Sequence, residues 1–178
     1  MKIEQDRTRA RRDGMQNKLR TVLGAAFAAT VAVWVMDRFD WFVFDHEDPR
    51  ARRRTESVRP GGMDPAHALA SKLAHAVGSK LGPAPPHRHP AGLAVHYAVP
   101  IGIALLYRLL RRSHPAVSRG GGAIYGAATF LILDEVINPV LGLAAAPADY
   151  PWQRHGRELV AHVIYGMVTH TVLNVLDE

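Results

Sequence analysis

The chain contains no cysteine, and this absence limits its chemistry. Without thiols, neither a disulfide framework nor a cysteine-ligated zinc site can form. Serine is also scarce in the apolar segments, and no arrangement of nucleophile, base and orienting acid is apparent. These absences favour a protein that is not an enzyme and that needs no cofactor.

Acidic residues are outnumbered by basic ones, 16 to 22, which gives a formal net charge of +6. In a soluble protein this excess would suggest nucleic acid, which is bound by basic patches with stacking aromatic residues. Here the basic residues flank long apolar runs, and only 7% of the residues are aromatic. We therefore discount nucleic acid as a partner and expect attraction to anionic lipid headgroups.

Charged residues are almost missing from four long runs of the chain. At about 1.5 Å per residue, each run is long enough to cross a hydrocarbon layer of about 30 Å. The sequence therefore predicts an all-α integral membrane bundle that forms one domain within the lipid bilayer. The four predicted transmembrane helices comprise residues 19–44, 91–112, 121–146 and 157–176.

Lysine and arginine indicate the orientation of these helices. Residues 1–18 form a basic tail, and the short connection between the second and third runs is also basic. With four spans both segments lie on the same side, and short basic flanks favour the cytoplasm. The basic stretch DPRARRR opposes this, but it belongs to a long loop, where the rule weakens. We expect a multi-pass protein of the bacterial inner membrane with both termini cytoplasmic.

The segment 45–90 is then an extracytoplasmic connection with two parts. Its first part, DHEDPRARRRTESVRPGG, is charged and contains glycine and proline, so we expect a surface loop there. Asp64 followed by Pro65 is typical of a helix start, and small apolar residues then recur at helical spacing. A short amphipathic helix is predicted over residues 64–80.

Aromatic residues lie beside two of the runs. Trp41 and Phe42 close the first run, and Tyr150 and Trp152 precede the fourth. Under the predicted topology both groups face the outer side of the membrane. Tryptophan, tyrosine and phenylalanine in such positions are expected to anchor helices at the membrane interface.

The stretch LDEVINP places polar residues inside the third run. An unpaired charge near the middle of a bilayer costs at least about 2.5 kcal/mol, so these acids need partners. Pro139 is expected to kink the helix, because it lacks a backbone donor. Polar residues on the other runs are possible partners at similar depth. The predicted intramembrane cluster comprises Asp37, His96, Asp134, Glu135, Asn138 and His162.

Two interpretations of this cluster stay open. In the first, its side chains form interhelical hydrogen bonds that fix the helix register, with at least one carboxyl group protonated. In the second, carboxylates and histidines together form a proton or cation site. The scattered histidines of segment 45–90 lack the spacing typical of metal ligands, so we predict no metal site from spacing alone.

Several motifs resemble a known family. They are WVMDRFDWFVFDHEDPRAR, PGGMDPAHALA, HPAGLAVHYA and LDEVINPVLGLAAAPADYPWQRHGRELVAHVIYGMVTH. These segments are similar to the YagU-like family of bacterial inner-membrane proteins, over most of the chain after about residue 20. The resemblance implies a small multispanning inner-membrane protein. It implies no reaction, since that family is of uncharacterised function.

Small size and stretches of small residues favour a non-enzymatic accessory, assembly or structural subunit, which packs against a partner membrane protein or another copy of itself. The alternative is a proton- or cation-handling protein that uses Asp134 and Glu135 with histidines. A metal-dependent membrane enzyme is the least favoured hypothesis. The small residues are Gly24, Ala25, Ala28, Ala29 and Ala32 on the first helix and Gly126, Ala127 and Ala128 on the third.

Overall fold

A computed structural model describes residues 2–81 and 89–177 of the chain. Within these two ranges the chain forms helices and turns, with no β-strand. Among the described residues, four helical segments are long and apolar enough to cross a membrane, which confirms the predicted all-α bundle of four membrane-spanning helices. These spans are Arg11–His46, Pro90–Ser113, Pro115–Val140 and Trp152–Asp177.

The first helix, α1 (Lys2–His46), is a single helix of 45 residues. The basic tail and the first predicted span are therefore continuous. At 1.5 Å per residue α1 is about 67 Å long, roughly twice the thickness of a hydrocarbon layer. Residues 11–20 are all exposed. This segment, which we name the α1 arm, extends beyond the packed part of the bundle.

Two short helices follow, α2 (Pro49–Val58) and α3 (Pro65–Ala76). A surface loop was predicted where α2 lies, and Asp48 explains the helix. Its carboxylate accepts hydrogen bonds from the backbone N–H groups of Arg50 and Ala51, and Pro49 occupies the first helical position. Such a cap satisfies backbone donors that would otherwise lack partners, so even this strongly charged segment becomes helical.

The start of α3 follows the same chemistry, since the Asp64 carboxylate accepts from the His67 N–H at 3.0 Å. Its end differs from the predicted residue 80. Gly78 adopts φ +72, and the Ser79 N–H bonds back to the Ala74 carbonyl at 2.9 Å. A left-handed glycine with this bond is a common helix stop, so α3 ends at Ala76.

The second span is α4 (Pro90–Ser113), and α3 packs against its first turns. The His67 ring is buried, and Gly92 lies directly beneath it. A Cβ atom at Gly92 would overlap the Cδ2, Nε2 and Cγ atoms of that ring. Glycine is therefore what lets α3 pack closely on α4.

We expect Gly92→Ala to separate α3 from α4 without unfolding the bundle, because the added methyl group occupies the position of the imidazole. Overpacking of this kind costs about 1–3 kcal/mol. Hydrogen–deuterium exchange of residues 65–76 should accelerate by about tenfold or more. Gly102→Ala on the same helix is the control, since a Cβ there meets nothing within 4 Å. Equal exchange in the two variants would contradict this role of Gly92.

The third span changes its helical geometry along its length. It starts as a 3-10 segment and ends in an α-helical turn, with one π-turn between the two α-helical pieces. The pieces are Pro115–Gly122, α5 (Ala123–Ile132), the π-turn (Leu133–Ile137) and α6 (Asn138–Val140).

The π-turn lies directly before Pro139. In it the Asn138 N–H reaches back to the Leu133 carbonyl, one residue farther than in an α-helix. Pro139 has no N–H and cannot donate to the Glu135 carbonyl, so the widened turn lies where the α-helical pattern is broken. Gly142 then adopts φ +62, and the span ends at Val140, earlier than the predicted residue 146.

The fourth span, α7 (Trp152–Asp177), packs against both α1 and α5. Gly126 of α5 lies against the backbone of His162 and Val163, and Gly166 of α7 lies against Gly122 and Gly126. The small residues of α1 are likewise buried between α1, α4 and α7. They are Ala25, Ala28, Ala29 and Ala32.

These contacts revise one expectation. The alanines of α1 and Gly126 bring helices of the same chain together, and Gly24 lies under the Arg108 guanidinium. Helices of the bundle therefore cover these residues, whereas Ala127 and Ala128 are only partly buried.

The spans alternate in direction and define two ends of the bundle. The arm end contains the α1 arm, the turn after α4 and the C-terminus. There Arg108 donates to the carbonyls of Arg20 at 3.1 Å and Thr21 at 2.8 Å and pairs with Asp177, which also pairs with Arg111. The opposite end, the α2–α3 end, also holds the 141–151 connection, where Arg54 donates to the Asp149 carbonyl at 2.9 Å.

Candidate functional site

A network of charged side chains joins α1, the third span and α7 near the α2–α3 end. Arg157 is its centre, and only 1% of its side chain is exposed. Its Nε lies 2.7 Å from Asp40 Oδ1, its Nη1 2.6 Å from Glu47 Oε1 and its Nη2 3.3 Å from Glu158 Oε1. The three carboxylates compensate a buried guanidinium that has little access to water.

Arg154 extends the network from α7 to the third span. Its buried guanidinium lies 3.7 Å from Glu135 Oε1 and 3.7 Å from Glu158 Oε1. Glu135 also accepts from His155 Nδ1 at 2.7 Å, and the other ring nitrogen of His155 lies 3.1 Å from the Pro147 carbonyl. Glu135 is therefore held by two side chains from the first turn of α7.

Asp134 points to a different part of α7. Its Oδ1 accepts a hydrogen bond from Asn138 Nδ2 at 2.9 Å, and its Oδ2 lies 3.4 Å from His162 Nε2. His162 Nδ1 donates to the Glu158 carbonyl at 2.9 Å, which fixes the ring. Asp134 is 8% exposed, so its carboxyl group is almost fully shielded from solvent.

The six residues of the predicted cluster thus fall into three groups. Asp134, Asn138 and His162 lie together, while Glu135 turns towards His155 and Arg154. Asp37 and His96 pair with each other, with His96 Nε2 at 3.1 Å from Asp37 Oδ2, and this pair links α1 to α4.

The two acids of the third span lie away from its middle. Their partners on α7 run from Arg154 to His162, within the first three turns of a helix that begins at Trp152. The third span itself ends only six residues after Asp134. Asp134 and Glu135 therefore lie nearer the α2–α3 end than the mid-span position that the sequence suggested.

Part of the chain is similar to a protein family whose activity is unknown. Residues 86–171 match the model of a family described as a protein of unknown function (DUF1440). No curated protein and no solved structure matches this chain. The matched region includes the third span and most of α7, and with them Asp134 and Arg157. It does not include Asp40 of α1 or Glu47, the residue directly after α1, which complete the network around Arg157.

The sequence analysis missed much of this network, because it treated the residues before 157 as an interfacial loop. One periodic pattern would have indicated part of it. Arg154, Glu158 and His162 recur every four residues and share a face of a helix that begins at Trp152. The missed residues are Asp40, Glu47, Arg154, His155, Arg157 and Glu158.

Three of the four predicted interfacial aromatics are exposed, and one is not. Trp41, Phe42 and Trp152 present their rings on the surface. Tyr150 is buried beneath Arg154, whose guanidinium carbon lies 4.0 Å from the ring centroid, and its hydroxyl accepts from the Ala145 N–H at 3.2 Å. Tyr150 thus packs within the 141–151 connection and supports Arg154, instead of facing a membrane surface.

Acids outnumber permanent bases in the network around Arg157. With carboxyl groups ionised, five carboxylates among the described residues face the guanidinium groups of Arg154 and Arg157, the charge of Arg59, which attracts Glu158, and the His155 ring, whose two nitrogens both lie beside acceptors and so carry protons. One negative charge is then left. The carboxylates are Asp40, Glu47, Asp134, Glu135 and Glu158. Uncompensated charge is costly at membrane depth, so protons or a cation must balance the excess. The arrangement therefore fixes three helices and also has the composition of a cation-binding site.

Proposed function

We propose that this protein is a non-enzymatic accessory, assembly or structural subunit that packs against a partner membrane protein through the α1 arm. The observation that carries this proposal is an exposed apolar stripe on α1. Met15 is 68% exposed and Leu19 is 55% exposed, and two further apolar side chains continue the stripe towards the bundle at intervals of four residues. These are Leu23 and Phe27.

Contact with lipid can cover only part of this exposed stripe. Leu23 and Phe27 belong to the apolar span, whereas Met15 and Leu19 lie among charged residues. Such charges place the arm outside the hydrocarbon layer. A helix that is unsupported in water is only marginally stable, so a partner that covers Met15 and Leu19 would also stabilise the arm.

The charge of the arm indicates which kind of partner fits. Within residues 11–20, four basic side chains accompany one acidic side chain. A second copy arranged in parallel would bring like charges together, which is unfavourable. A different membrane protein with an acidic cytoplasmic helix or juxtamembrane segment would complement the arm. We therefore favour a heteromeric partner over a homo-oligomer.

The proposal includes a location and an orientation. The arm end carries Arg108, Arg111 and Arg112 close to the predicted membrane boundary, and short basic flanks favour the cytoplasm. Both termini are then cytoplasmic, and the charged network lies towards the outer side. The resemblance to YagU-like proteins supports a bacterial inner membrane as the site of action.

Site-specific photo-crosslinking in native membranes tests the partner. A photoreactive residue at Met15 or Leu19 should give one discrete adduct with another membrane protein, identified by mass spectrometry. Asn17 is the matched control, because it is exposed on the opposite side of the same helix and should give little of that adduct. Arg11→Glu together with Arg12→Glu should remove the adduct. Adducts of the chain with itself, or equal labelling from position 17, would contradict a heteromeric partner on this stripe.

A further inference from the structure

Three side chains of the network converge within the membrane-spanning bundle. Asp134, Glu158 and His162 each offer one ligand atom, and these atoms lie within 4.8 Å of one another. Glu158 and His162 are one turn apart on the same face of α7, and the π-turn presents Asp134 to them from the third span. Helical π-turns are often found where a side chain must be directed towards a functional site.

The remaining atoms of two of these ligands already have partners. Asn138 donates to Asp134 Oδ1, while the buried Oδ2 accepts no hydrogen bond from any residue that the structure describes. His162 Nδ1 donates to the Glu158 carbonyl, so Nε2 presents its lone pair on the side of Oδ2. Metal-binding histidines and carboxylates are typically oriented by such bonds to their far atoms.

The spacing of one pair of ligand atoms suits coordination better than direct hydrogen bonding. Asp134 Oδ2 and His162 Nε2 are 3.4 Å apart. This exceeds the usual 2.7–3.2 Å of an N–H···O hydrogen bond. Two ligand atoms about 2.1 Å from one tetrahedral ion would be separated by about 3.4 Å.

The charge of the surroundings also favours a cation. Arg154 and Arg157 both lie near Glu158, but Asp40, Glu47 and Glu135 offset their charges. The Asp134 carboxylate forms no ion pair with an arginine among the described residues, so its charge remains at the point where the three side chains converge. A cation bound there would balance that charge.

We propose that Asp134, Glu158 and His162 bind one divalent transition-metal ion of the Zn²⁺ or Mn²⁺ class. Imidazole suits zinc and related ions, carboxylates suit manganese and zinc, and the absence of cysteine removes the thiolate ligands that softer ions prefer. Three protein ligands leave a further coordination position for water or another small ligand. The sequence contained no ligand motif, because the site joins two segments 24 residues apart and one ligand, Glu158, lies outside the predicted cluster.

Metal binding by the full chain in lipid nanodiscs tests the site. After treatment with a chelator, the protein is titrated with Zn²⁺ alone by calorimetry, and bound metal is quantified by mass spectrometry. We expect one ion per chain. Asp134→Asn, Glu158→Gln and His162→Gln should each weaken the affinity by at least about 10–100-fold, the loss typical even for residues that only orient a ligand.

His96→Gln is the matched control, because His96 also pairs with a buried aspartate but lies outside the proposed site. Its affinity for Zn²⁺ should equal that of the wild type. If the wild-type chain binds no ion, protons balance the network and the proposal is wrong. Unchanged binding in the three ligand variants would also overturn it, because the ion would then be bound elsewhere.

A gain-of-signal experiment separates loss of the site from loss of folding. The chain has no cysteine, so His162→Cys introduces a single thiol. Equimolar Cd²⁺ should then give a thiolate-to-metal charge-transfer band in samples with wild-type helical content, and adding Asp134→Asn should weaken that band. His96→Cys is the control and should give no comparable band. Equal bands from both cysteine variants, or none from His162→Cys, would contradict the proposed ligands.

Discussion

Arg157→Leu should lower the free energy of unfolding by about 3–5 kcal/mol, the usual cost of removing one partner from a buried ion pair. Leucine fills part of the volume of the arginine but leaves Asp40, Glu47 and Glu158 without the guanidinium that they share. Because Asp40 lies on α1, Glu47 directly follows α1 and Glu158 lies on α7, their repulsion acts directly on the interface between those helices. Denaturant unfolding in mixed micelles, followed by circular dichroism, measures the change.

Rescue variants test whether charge is the cause. Adding Asp40→Asn and Glu47→Gln to Arg157→Leu should restore most of the lost stability, since neutral side chains no longer require the arginine. Arg38→Leu is the control, because Arg38 is an exposed arginine of α1 whose guanidinium lies over Trp34 and Trp41. It should cost less than about 1 kcal/mol. A triple variant as unstable as the single one would show that Arg157 acts through packing alone.

The four spans could be predicted because hydrocarbon imposes a simple requirement on composition and length. A run of about 20 apolar residues is visible in any sequence that contains one. Helices outside the membrane follow local capping instead, which explains why α2 was missed: the Asp48 and Pro49 signal lay inside a segment whose high charge indicated a loop. The continuity of α1 was also hidden, since its basic tail differs in composition from the span that it continues.

The candidate site was only partly predictable, for geometric reasons. Neighbouring residues on a helix point about 100° apart, so Asp134 and Glu135 face different partners although they are adjacent in sequence. Hydropathy locates the depth of a charged residue but not the direction in which its side chain points. The fourth helix also starts five residues before the predicted start at residue 157, and those residues include Arg154 and His155. Polar residues at a helix start can thus belong to a buried network when a neighbouring helix presents opposite charges.

The largest steric effect is expected at Gly126, where α5 and α7 are in backbone contact. A Cβ atom there would overlap the His162 carbonyl group and approach the Val163 Cα atom to 2.9 Å. Backbone atoms cannot rotate away as a flexible side chain does, so the helices must separate. Gly126→Val should therefore cost about 3 kcal/mol, near the upper end of the usual range for overpacked cores. Thermal unfolding followed by circular dichroism in nanodiscs measures this loss.

Gly102→Val controls for the effect of a β-branched residue in a helix, because Gly102 faces open space and valine has a slightly better helix propensity than glycine. Its stability should therefore stay within about 0.5 kcal/mol of the wild type. The Gly126 variant should have a second effect that the control lacks. The valine side chain would meet the backbone of His162 and push α5 away from α7. This movement should also draw Asp134 away from the His162 ring. Zn²⁺ affinity should then fall together with stability, whereas Gly102→Val should leave that affinity unchanged. If Gly126→Val lowered stability but preserved Zn²⁺ binding, the ligands would not depend on the α5–α7 contact, and the proposed coupling between packing and site would be wrong.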